Sequence, residues 1–123
     1  MGFLRFKGEL SVKNKVNILG TNYNIIEATE TDCPKLKVAD AFGLCEPYAK
    51  ELIVAIVEED PRNVKNLEEF RRKVLRHEIV HAFFMESGLT QYMDDEVLVD
   101  WIAVQFSKIH RAMYEADCLE KVT

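Results

Sequence analysis

Cysteine is scarce and unpatterned in this chain. Cys33, Cys45 and Cys118 are an odd number, and no C-x-x-C pair occurs. That excludes a disulfide framework or a zinc ribbon as the organising device and leaves reduced thiols as the simple expectation. Long apolar runs are missing too. The longest, Leu52 to Val57, has six residues, against roughly 20 for a membrane-spanning helix. The opening Met1-Gly2-Phe3-Leu4-Arg5-Phe6-Lys7 lacks the apolar stretch of a secretory signal, so no leader is expected. Phe6 stands where a myristoylation signal needs Ser or Thr, which argues against lipidation. No internal repeat or low-complexity tract occurs. Net positive charge is also lacking: 16 Lys and Arg against 21 Asp and Glu give −5. Such a balance does not draw a protein to nucleic acid or anionic membrane. A cytoplasmic protein with no membrane partner is expected, and nucleic acid is disfavoured.

What remains is a chain of 123 residues, 48% of them apolar, enough for one core and one domain over residues 1–123. Residues 1–15 carry no clear pattern, and residues 117–123 read as a frayed tail. Val16 to Leu19 and Tyr23 to Ala28 read as the strands of a hairpin turning at Gly20-Thr21-Asn22. Residues 29–47 read as loop, punctuated by Pro34, Gly43 and Pro47, with Leu36, Val38, Ala41, Phe42 and Leu44 as anchors to the core. Glu51 to Val57 is the strongest strand, β-branched and apolar enough to be covered on both faces. Glu58-Glu59-Asp60-Pro61 ends it.

Two helices follow. Asn66 is a good N-cap with Glu69 three residues on, and Ser87-Gly88 is the stop signal. Asp94 or Asp95 caps a second helix running to about residue 116, with Leu98, Ile102, Phe106, Ile109 and Met113 as its core stripe. Arg62, Lys65, Arg71, Arg72, Lys73 and Arg76 cluster before and within the first helix and read as a solvated face. The fold class expected is α+β: a small N-terminal sheet packed on the first helix and on a second, C-terminal one.

The first helix contains His77-Glu78-Ile79-Val80-His81, an H-E-x-x-H motif. Residues four apart on a helix share a face, so both imidazoles can grip one Zn²⁺. Glu78 then lies beside the pair, where it suits a general base in metal-assisted hydrolysis. The motif alone is short enough to arise by chance. Here, however, the histidines interrupt the apolar stripe Phe70, Val74, His77, His81, Phe84, with Met85 beside it. Polar groups on an inward face need partners, and a metal is one.

A catalytic zinc commonly takes three protein ligands, so a third is sought among His110, Glu96, Asp100, Asp94, Asp95 and the cysteines. Glu96 and Asp100 share a face of the second helix, continued by the small residues Ala103 and Ser107. The short link from Gly88 to Asp94 brings that face near the histidines. His110 lies about 21 Å farther along the helix than Glu96. Geometry therefore points to the two carboxylates, Glu96 ahead of Asp100, with the other left to support a histidine from behind.

His77-Glu78-Ile79-Val80-His81 followed by Glu96-Val97-Leu98-Val99-Asp100 resembles the H-E-x-x-H and E-x-x-x-D motifs of the gluzincin branch of zinc metallopeptidases. The stretch from His77 to Ile109 also looks like small phage- or prophage-encoded metallopeptidases, loosely similar to ImmA/IrrE-type peptidases. The resemblance implies a minimal zincin-like domain with one Zn²⁺ held by His77, His81 and Glu96, Asp100 behind a histidine, and Glu78 as general base. It also implies a peptide or protein substrate, with the Leu52–Val57 strand lining the cleft. Tyr92 and Tyr48 are the candidates to stabilise an oxyanion. The rivals are a regulatory or binding module of phage origin that holds a metal without peptidase activity, and a hydrolase acting on another bond, such as one in RNA.

Overall fold

The computed structural model describes residues 12–57 and 66–121. The acidic end of the third predicted strand (58–61), Arg62 and Lys65 lie outside them, as do residues 1–11. The hairpin strands are β1 (Val12–Ile18) and β2 (Thr21–Ala28), paired antiparallel. Residues 12–15 thus belong to the sheet. The connecting residues Leu19 and Gly20 both have positive φ, 51° and 93°. That is the two-residue turn whose twist suits a hairpin, and Asn17 Oδ1 accepts from the Gly20 N–H at 2.9 Å.

The segment read as loop contains a short helix and a strand: α1 (Pro34–Val38) and β3 (Gly43–Glu46). Both are too short to show a period. Among the expected anchors, Leu36 is fully buried, whereas Val38 and Phe42 are exposed. β4 (Glu51–Ala55) pairs parallel with β2 and antiparallel with β3, giving a mixed sheet in the order β1-β2-β4-β3. β4 is therefore interior, and β3 is an edge strand.

Alternation along the strands builds two cores. Tyr23, Ile25 and Leu52 face α2 (Leu67–Glu86) and pack on Ala82, Leu75 and Ile79. Ile26, Ala28 and Ile53 face the other way, onto Leu36 and Cys33. Asn66 caps α2, its Oδ1 accepting from the Glu69 N–H at 3.1 Å. Gly88 (φ +86°) follows the helix end in the left-handed conformation. After a single 3₁₀ turn at Thr90–Tyr92, α3 (Glu96–Glu115) starts from Asp95, whose Oδ1 accepts from the Leu98 N–H.

α3 departs from the expected stripe. Its buried residues are Val99 and Ala103; of the small residues expected to approach α2, Ala103 is buried and Ser107 is exposed. Phe106, Ile109 and Met113 remain 60%, 40% and 44% exposed. Periodicity located an apolar face, but its second half is not buried.

The last residue of α2 fixes the helix to the sheet. Glu86 accepts from Thr21 Oγ1 (2.8 Å), Tyr23 OH (2.6 Å) and Lys50 Nζ (2.8 Å). A carboxylate at a helix C-terminus is disfavoured by the dipole, and these three donors offset that. Lys50, then Tyr23 and Thr21, hold the Glu86 carboxyl down at about 2. A depressed carboxyl pKa stabilises the fold above its ordinary value near 4.5, and the contribution fades as pH falls toward 2. Glu86→Gln is thus expected to lower Tm by several degrees at pH 7. The gap to the parent should narrow between pH 4.5 and 2, followed by thermal melts across that range.

Candidate metal centre

His77 and His81 lie on the face of α2 turned toward the start of α3. The α2–α3 link brings Glu96, the first residue of α3, against both. His77 Nε2 is 2.9 Å from Glu96 Oε2, and His81 Nε2 is 3.0 Å from Glu96 Oε1. Ligand atoms of His77, His81 and Glu96 all lie within 4.8 Å of one another. Donors around a tetrahedral zinc stand about 3.3 Å apart, given bonds of about 2.0–2.1 Å, so the cluster is of the right size.

The far ring nitrogens carry the stronger argument. His81 Nδ1 is hydrogen-bonded to the Met93 carbonyl, which only accepts, so Nδ1 holds the proton. In its neutral form His81 then turns a lone pair on Nε2 toward a carboxylate oxygen that is also an acceptor. Two acceptors 3.0 Å apart need a proton or a cation between them. His77 repeats the pattern more loosely, with Asp100 Oδ1 3.4 Å from its Nδ1. The donor set, two imidazole nitrogens and a carboxylate, fits Zn²⁺.

The other candidates for the third ligand stand apart from the cluster or are engaged. Asp95 caps α3. His110 stacks on Phe106 at 6.0 Å on the exposed half of α3. Cys45 lines the same cleft but is not among the residues whose ligand atoms converge on the cluster.

Glu78 is buried, and burial pushes its carboxyl up to about 7; His77 opposes the shift and Glu96 adds to it. It faces β3, where Gly43 allows an approach that no other residue would. A Cβ at that position would stand 2.6 Å from Val74 Cγ1 and 2.8 Å from Glu78 Oε2. A cleft of about 550 Å³ opens above these groups, between β3 and the α2–α3 pair. Phe42 and Phe70 form part of its wall, ring edge to face at 5.0 Å.

Tyr48 stands 91% exposed in the β3–β4 turn and Tyr92 packs on Phe84; neither is among the described residues that line the cleft. Sequence reasoning missed the Met93 carbonyl, which no side chain announces, and Gly43, which looked like loop punctuation.

No family model, curated protein or solved structure matches this chain. What the cluster does match is a motif: His77-Glu78-x-x-His81 with Glu96, the metal-binding pattern of zincins.

Two outcomes are expected of metal analysis. The purified chain should carry about one Zn²⁺, and His77→Ala or His81→Ala should lose it; full occupancy in the double variant would remove the site. In a chelator competition, Glu96→Ala should weaken zinc binding well beyond Asp100→Ala, whose loss should cost about 10–100-fold. The reverse order would reassign the third ligand.

Proposed function

We propose that the protein is a zinc-dependent metallopeptidase. The observation that carries this reading is the convergence of His77 Nε2, His81 Nε2 and the Glu96 carboxylate at a cleft flanked by a strand edge, with a buried carboxyl beside them. Three protein ligands is the count of catalytic zinc sites, whereas structural sites usually supply four. A bound zinc would polarise a carbonyl oxygen and acidify water.

The chain's own groups have separable tasks. His77, His81 and Glu96 hold the metal. Asp100 and the Met93 carbonyl orient the two rings from behind. Glu78, buried beside the ligands, takes a proton from the attacking water and returns it to the leaving amine.

β3 supplies the docking line for a peptide, in place of the interior strand that the sequence suggested. The Phe42 carbonyl accepts from the Ala55 N–H, so by antiparallel alternation Leu44 and Glu46 also point their backbone groups at β4. Gly43 and Cys45 then point theirs to the outer edge, beside the cleft. An extended peptide adds to such an edge by main-chain hydrogen bonds. An RNA substrate is disfavoured by a lining that holds Asp40, Asp94 and Asp100 as well as the site's own glutamates.

Glu78→Gln tests the reading. The variant should keep its zinc while peptide hydrolysis falls about 10²–10⁴-fold, the usual contribution of a general base. Peptide binding without hydrolysis by the zinc-loaded parent would favour the metal-holding binding module. Zinc loss as severe as in His77→Ala would make Glu78 a ligand.

A further inference from the structure

The basic residues of α2 fall into two groups. Arg71 donates to Glu27 Oε2 from Nε at 3.1 Å and from Nη2 at 2.9 Å. Arg72 lies 3.5 Å from Glu68 and 3.6 Å from Glu69, and Arg76 donates to Glu69 at 3.0 Å. These guanidiniums have partners on their own helix or on the sheet. Lys73 does not share that arrangement. Among the described residues no carboxylate stands within ion-pair distance of it, and it is an exposed residue that lines the cleft.

Lys73 is also the one Lys or Arg among the described lining residues, against five carboxylates: Asp40, Glu78, Asp94, Glu96 and Asp100. Three of those belong to the metal centre or its support. Asp40, on the α1–β3 link, is outside ion-pair distance of Lys73.

Position gives this cation a role. Lys73 precedes His77 by one turn, as His77 precedes His81, so the three form a ladder along one face of α2. Lys73 stands about 6 Å along the helix axis from His77. An extended peptide advances about 6.5–7 Å in two residues. β3 runs alongside α2 in the same sense, with Phe42 at Phe70 and Gly43 at Val74 and Glu78. A peptide on the β3 edge, its scissile carbonyl at the metal centre, therefore passes Lys73 within two residues of the cut. There it meets one ammonium beside the Phe42–Phe70 pair.

We propose that this end of the cleft is a carboxylate subsite. Lys73 pairs with an acidic group of the peptide substrate, an Asp or Glu side chain or a free C-terminus, within two residues of the scissile bond. The proposal rests on the peptidase reading and names the substrate class for it.

A mixed peptide library cut by the zinc-loaded protein, read by mass spectrometry, tests it. Cleavage sites should be enriched in a carboxylate within two residues of the cut. Lys73→Met should lower kcat/KM for those peptides about 3- to 10-fold, mainly through KM, the range of a partly exposed charge-assisted pair. Peptides without an acid should be unaffected. Lys73→Arg should restore much of the loss, and Lys73→Glu should turn the preference toward Lys and Arg. Amidating the C-terminus separates the two sources: loss of the preference identifies the terminal carboxylate, and its persistence identifies a side chain. Cleavage with no acidic preference, or a preference that Lys73→Glu leaves in place, overturns the subsite while the peptidase reading stands.

A binding arm covers a parent that cuts nothing. Zinc-loaded Glu78→Gln is titrated with acidic and matched neutral peptides, with and without Lys73→Met. Tighter binding of the acidic peptide that disappears with Lys73→Met supports the subsite even if the peptidase reading falls. Equal binding of both peptides overturns it.

Discussion

One carboxylate facing the Nε2 atoms of two imidazoles is the constraint on which the rest of this structure turns. Glu96 approaches the Nε2 of both histidines, and the Met93 carbonyl commits the His81 proton to the far side of its ring. Where those nitrogens present lone pairs, a proton or a cation must sit between them and the carboxylate. The same three groups are what joins the beginning of α3 to the middle of α2. Beyond them, α3 buries only Val99 and Ala103. A cation at that point would therefore act as a cross-link between the helices as well as a chemical centre.

The two ends of α2 are held by different means. Glu86 ties the last turn to Thr21, Tyr23 and Lys50, and Arg71 ties an early turn to Glu27 on β2. With both ends fixed to the sheet, the azimuth of α2 is set, and the His77–His81 face is directed away from the core side marked by Leu75, Ile79 and Ala82. Gly43 then lets the edge strand approach Glu78 where a side chain would push Val74 aside. Polar ties at the ends of the helix and one missing Cβ near its middle together define the cleft.

The helices, their caps and the H-E-x-x-H face were legible in the sequence because each is local. Asn66, Gly88 and Asp95 act within three or four residues, and i, i+4 spacing needs no knowledge of the rest of the chain. The Glu96 approach was legible only because the link between the helices is short. Three features were not. β3 and α1 have four and five residues, less than a pattern needs. The apolar stripe of α3 had the right period, but period reports a face and not whether a partner covers it. The strand suggested for the cleft was the most apolar one, and that property belongs to an interior strand. Edge strands such as β3 are shorter and more polar, because one side of their backbone is left to solvent or to a ligand.

The placement of Glu78 bears on whether such a centre performs chemistry or only holds the helices together. A cross-link needs His77, His81 and Glu96, and any residue between the histidines would serve. A buried carboxyl there is costly to ionise, because burial disfavours its charged form, and no Lys or Arg is paired with it among the described residues. Ala or Gln at that position would give a metal-tied helix pair without that cost. Gly43, too, gives up a side chain in a strand, which weakens the strand, and the space gained is occupied by Glu78 and Val74. Two choices unfavourable to stability thus meet at one carboxyl, beside the metal-binding cluster and under the cleft, which supports the proposed role of Glu78 as a proton acceptor.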